Sequence, residues 1–97
     1  MFEKYRFYFD IDRVTVGSAQ NTYLIYVKSR IVDHEKIDYY EGILCVELNP
    51  VGIFPKPGDI AAAVSPTMLR RLLGMELKRY IKPQKRFLYE LAEENDS

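Results

Sequence analysis

The chain has 97 residues, 47% apolar and 29% charged, and its formal net charge is zero. That length supports one core and no second, the composition excludes a disordered chain, and no apolar run approaches the ~20 residues that cross a bilayer. A single cysteine, Cys45, excludes an internal disulfide.

Nothing else in the sequence points to an oxidising compartment. The opening "MFEKYRFYFD" alternates charge with aromatics, unlike the apolar core of a signal peptide. A cytoplasmic location and no membrane contact are therefore expected. The zero net charge hides a polarity. Residues 69–87 carry seven cations against Glu76 alone, a net of +6, whereas residues 88–97 sum to −4 and everything before 69 to −2.

Residues 2–16 alternate with a period of two, Tyr5, Phe7, Phe9 and Ile11 on one face and Lys4, Arg6, Tyr8 and Asp10 on the other, which marks a half-buried strand. A bulge within "DID" at 10–12 would return Val14 and Val16 to the buried side. "GSAQN" at 17–21 is loop chemistry. A second strand follows at 22–32, with Tyr23, Ile25, Val27 and Ile31 inward. Folding the hairpin about Ala19 pairs Asp10 with Lys28 and Tyr8 with Arg30. After the polar "VDHEKID", a third strand at 39–49 turns Leu44, Val46 and Leu48 inward and Cys45 and Glu47 outward. "PVGIFPKPGD" is turn-rich and holds a short strand at 52–54. Residues 60–64 read two ways: the alanines favour helix, whereas the position between a tight turn and a helix start suits a short strand, which is the reading taken.

Ser65-Pro66 is a helix-start signal, a capping hydroxyl before proline. At about 100° per residue, Leu69, Leu72, Leu73, Leu77 and Tyr80 form an apolar face, with Glu76 inside its arc. Pro83 interrupts this helix near Lys82 and suits the first turn of another, edged by Phe87, Leu88 and Leu91.

Several groups could carry function. Arg71, Lys78 and Lys82 lie opposite the apolar face, with Arg70, Arg79, Lys85 and Arg86 nearby. They could meet phosphates through salt-dependent counterion release. The plain alternative is a helix turning its cations to water, and a pI near 6.6 is low for a nucleic-acid module. On the outer face of the hairpin, Tyr8 and Tyr26 among Lys4, Arg6, Lys28 and Arg30 have the physics of a stacking platform, although ordinary cross-strand pairs need no ligand. Asp10, Asp12, Asp33, His34, Glu35, Asp38 and Glu41 offer carboxylates and one histidine for a metal-dependent hydrolase, best built on Asp10, Asp12, His34 and Glu35. "DHEK" sits in a loop with no rigid element to hold it, and His34 has no evident nucleophile to serve. Cys45 reads as a small apolar strand residue. Tyr39, Tyr40, Ile53, Phe54 and Glu76 are the candidate contacts for a protein partner.

The expected fold is α+β, a single domain over 1–97. Residues 1–64 are mainly β, 65–94 helical and 95–97 a frayed acidic tail. The N-terminal antiparallel sheet has three to five strands, with a small open OB-like barrel as one form, and a C-terminal helical pair packs on one side. The expected function is that of a non-enzymatic interaction protein that binds another protein, as an adaptor, assembly factor or stoichiometric inhibitor of the mobile-element kind. A nucleic-acid-binding module is the alternative and a metal-dependent hydrolase the third. No cofactor, metal or catalytic residue is assigned. Self-association through a strand edge is the other expected contact.

Overall fold

The computed structural model describes residues 5–96, with side chains described as far as Leu91. Four strands, β1 (Arg6–Val16), β2 (Tyr23–Val32), β3 (Asp38–Asn49) and β4 (Gly52–Pro55), precede three helices, α1 (Pro57–Ala63), α2 (Thr67–Ile81) and α3 (Lys85–Asp96). One 3₁₀ turn at Lys82–Gln84 carries Pro83 and joins α2 to α3, the break that the proline dictates.

The strands form an antiparallel meander in the order β1-β2-β3-β4. β1 and β4 are opposite edges, so the sheet stays open and the OB-like closure does not occur. The first hairpin has the expected register, with Tyr8 opposite Arg30 and Asp10 opposite Lys28. Between Ile11 and Arg13 the register shifts by one, which makes Asp12 the bulge residue. The extra residue flips the alternation, so that Val14 faces Ile25 and is buried. Val16 also returns to that side but remains 48% exposed near the hairpin end.

The odd-numbered side chains of β2 and the even-numbered ones of β3 share one face of the sheet, and all three helices lie against it. Ile25, Val27 and Ile31 meet Leu44, Val46 and Leu48 there, and none of the six is more than 1% exposed. α2 lays Leu69, Leu73, Leu77 and Ile81 over this surface, one residue per turn and each fully buried. Leu88 of α3 completes the same cluster. At about 1.5–3 kcal/mol per buried aliphatic side chain, this layer is the main favourable term of the fold. The opposite face has no covering element among the described residues. Tyr8 is 51% exposed and Ile43 52% exposed there, and Lys28 and Arg30 are open to solvent.

Two local expectations are corrected. Residues 60–63 are helical, within α1, and not a strand. Pro57 sits in the first turn, where its fixed φ and missing N–H suit a helix, and Ile60 turns into the core. A tertiary contact secures the segment: the Asp59 carboxylate accepts the Cys45 N–H at 3.0 Å, while the Lys56 N–H donates to the Cys45 carbonyl at 3.0 Å. α1 thereby takes over the edge of β3 where β4 ends. The second correction is the start of α2. Its N-cap is Pro66, extended at ψ 128, and no side chain caps the first turn, so the Ser65 hydroxyl does not play the expected part. At the other end, α3 runs to Asp96, and the last residue of the expected frayed tail, Ser97, lies outside the described residues.

Leu73→Ala should lower the unfolding free energy by about 3 kcal/mol in urea titration. Met68→Ala, on the exposed side of the same helix, should change it by no more than about 0.5 kcal/mol. Equal costs at the two positions would contradict this orientation of α2.

Candidate functional site

The basic helices divide into occupied and available cations. Arg70 is occupied: its Nε donates to the Val64 carbonyl at 2.6 Å and its Nη2 to the Ala61 carbonyl at 3.2 Å. A cation on the last carbonyls of α1 satisfies groups that the helix itself cannot. Arg79 pairs with Glu76 at 3.3 Å, which explains why a carboxylate sits inside the apolar arc: it is held at the edge of the stripe. Arg86 lies 3.9 Å from Glu90, one turn on. Arg71, Lys78, Lys82 and Lys85 have no ion-pair partner among the described residues.

Lys78 and Lys82 border a groove of about 500 Å³ between the β3–β4 turn and α2. Its other lining residues include Val51, Ile53, Phe54 and Met75. Asn49 builds the turn, its Oδ1 accepting the N–H groups of Val51 at 2.8 Å and Gly52 at 3.2 Å. That geometry thrusts Val51 into solvent at 87% exposure, with Met75 at 47% and Phe54 at 43% beside it. Ile53 and Phe54 were legible as candidate contacts. Val51 and Met75 belong to no apolar pattern in the sequence; the signal it carries is a β-branched residue at the tip of "NPVG", where polar residues are usual. Glu76 reaches the groove through its partner Arg79.

Tyr39 and Tyr40 lie at the far end of β3, away from Ile53 and Phe54. Tyr39 is displaced by the register shift between Ile31 and Val32 and meets Tyr5 edge-on at 5.5 Å. The Tyr40 ring lies across Gly42, filling the space that a β-carbon would occupy. Burial, reinforced by the Asp59 charge, pushes the Tyr40 phenol pKa up. The two anchor pairs therefore do not form one site.

On the open sheet face, a shallow hollow of about 390 Å³ runs across three strands. Tyr8, Arg30 and Glu41 stand in one cross-strand row and Asp10, Lys28 and Ile43 in the next. The backbone of Phe9, Ser29 and Gly42 forms the floor between them. Most of this polarity is internally matched. Arg30 donates through Nε to Asp38 Oδ1 at 2.8 Å, its Nη2 stands in ion-pair contact with the same oxygen at 2.8 Å, and the guanidinium lies over the Tyr8 ring at 5.9 Å. Arg13 sits 4.3 Å over the Tyr26 ring. Each tyrosine proposed for stacking thus already has a guanidinium on its ring.

The carboxylates expected around a metal are dispersed. Asp12 pairs with Lys28 at 3.7 Å, and His34 lies 3.7 Å from Glu35. The Asp33 carboxylate accepts the N–H groups of Glu35 and Ile37, closing its own loop. Among the described residues, no three His, Cys, Asp or Glu side chains gather to hold a metal ion. The Cys45 thiol is half-buried on the outer face, and its pKa is pushed up by burial and then by Asp59. That is the opposite of nucleophile activation.

Two measurements check these assignments. Arg70→Ala should cost about 1–2 kcal/mol by loss of its carbonyl bonds, and Arg71→Ala no more than about 0.5 kcal/mol. Because a raised pKa leaves less thiolate, Cys45 should alkylate more slowly at pH 8.5 in the folded chain than in urea. Equal rates would contradict the shielding. Comparison with protein-family models, with curated proteins and with solved structures found no match to this chain.

Proposed function

We propose that this protein is a non-enzymatic binding module, and that it captures an acidic segment of a partner protein carrying an apolar side chain. The observation that supports this reading is the juxtaposition at one groove of Val51, Phe54 and Met75, all exposed, with Lys78 and Lys82, both unpaired among the described residues. Apolar area that water must cover favours an apolar occupant at roughly 25 cal/mol per Å² buried. Free ammonium groups at its rim select acidic neighbours for that occupant and speed its arrival. Small area and mixed character suit an adaptor or a stoichiometric inhibitor that grips a short segment.

Nucleic acid fits the same place less well. The floor is mostly aliphatic, Arg70 is bound to backbone carbonyls, and the rings of Tyr8 and Tyr26 carry arginines. Phosphate contacts alone would give weak, salt-sensitive binding. The sheet edges are a separate place for contact, with another copy of the chain as their occupant.

A random-peptide display library panned on the wild-type protein, with counter-selection on the variant Lys78→Glu/Lys82→Glu, tests the reading. The expected outcome is enrichment of peptides that combine Asp or Glu with Leu, Ile or Phe and lose binding to Val51→Asp. Enrichment of basic or purely polar peptides would sink the proposal. So would tight binding of a labelled oligonucleotide with no peptide enriched, which would put the nucleic-acid reading in its place.

A further inference from the structure

β1 is an eleven-residue strand at the edge of the sheet, and no other strand pairs with its outer side among the described residues. Backbone direction fixes what that edge offers. Both backbone groups of Cys45 point away from β2, since its N–H goes to Asp59 and its carbonyl takes the Lys56 N–H. These directions alternate along a strand and match across an antiparallel pair. Carried through the registers Cys45↔Tyr26, Lys28↔Asp10 and Arg30↔Tyr8, they turn the backbone groups of Tyr8 and Asp10 into the sheet and those of Phe7 and Phe9 out of it. No hydrogen bond from outside the ladder meets Phe7 or Phe9 among the described residues.

The side chains on this edge are unevenly satisfied. Lys28 stands opposite Asp10, yet its ammonium lies by Asp12 at 3.7 Å. Asp10 is left without an ion-pair partner among the described residues, and so is Arg6. Both are exposed on the same face, four residues apart, with Tyr8 midway between them. Phe7 and Phe9, on the other face, are only half-buried, their rings stacked with centroids 6.3 Å apart.

We propose that β1 pairs antiparallel with β1 of a second copy of this chain, about a two-fold axis at Tyr8, so that Arg6 of each chain faces Asp10 of the other. Phe7 and Phe9 of the two chains then exchange the outward N–H and carbonyl groups, and their rings join in one row beneath the sheet. The edge is basic at its start and acidic further on, which makes it complementary to its own reverse. A parallel copy in register would set arginine beside arginine and aspartate beside aspartate. Charges on an edge usually repel other strands; here their order admits one partner in one register. The product is a continuous eight-stranded sheet with both sets of helices on the same side. This contact is independent of the groove at Val51 and leaves it open.

Sedimentation equilibrium on the full chain, up to about 200 µM, tests the contact at the weak end of specific association. The wild type is expected to dimerise. Arg6→Asp and Asp10→Arg, each placing like charges opposite one another twice, should weaken the dimer about tenfold. The double exchange Arg6→Asp/Asp10→Arg should restore wild-type association. Melting curves confirm that the variants fold. In a Cys45→Ser background, Tyr8→Cys should oxidise to a linked dimer, because a non-hydrogen-bonded pair sets its α-carbons about 4.5 Å apart. A wild type that stays monomeric throughout would overturn the proposal, as would a double exchange no better than the single changes or a Tyr8→Cys variant that fails to link.

Discussion

Everything in this molecule depends on the contact between the Leu69, Leu73, Leu77 and Ile81 stripe and one face of the sheet. A domain of this size has a single core, and the stripe closes it. It also decides what the other surface can be. With α1, α2 and α3 all on one side, nothing among the described residues covers the second sheet face, the β1 edge or the tip of the β3–β4 turn. Interaction surfaces on this chain are what the helices leave uncovered.

Those uncovered surfaces are not equivalent. On the sheet face, cations and carboxylates largely answer one another, as Arg30 with Asp38 and Lys28 with Asp12 do, and arginines lie on the tyrosine rings. A surface so satisfied gains little from a ligand, since any new contact first displaces an existing one. Two places differ. Beside Val51 exposed apolar groups stand next to lysines without an ion-pair partner among the described residues, and along β1 outward backbone groups run beside Arg6 and Asp10, which likewise have none among the described residues. Unsatisfied groups are where association yields net free energy.

Much of this could be read from residue order. Alternation in "YRFYFDI" and "YLIYVKSRI" marked two strands and the side chains that share each face, because a one-residue slip would turn every side chain over, and folding the hairpin about Ala19 set their pairing. The leucines of α2 were legible for the same reason at helical spacing. Residues 60–63, open between helix and strand in the sequence, are decided from elsewhere: Asp59 bonds to the backbone of Cys45, fourteen residues earlier, and no local pattern contains that contact. The role of Arg70 was hidden likewise, since its acceptors lie on a helix the sequence did not reveal. The groove at Val51 joins a turn to a helix two turns beyond its start. Only tertiary structure brings those residues side by side, so Ile53 and Phe54 were visible singly and the site was not.

Isoleucine side chains provide the most direct check on one-sided coverage, because they are distributed over both faces of the sheet and the helices. With methyl-labelled isoleucine and a soluble gadolinium chelate, solvent paramagnetic relaxation should leave Ile25, Ile31 and Ile81, each fully buried, almost unaffected. It should broaden Ile43 and Ile37, which are 52% and 58% exposed, strongly. A shielded Ile43 together with a broadened Ile25 would mean that the helices cover the other face, and that the surfaces described above do not exist.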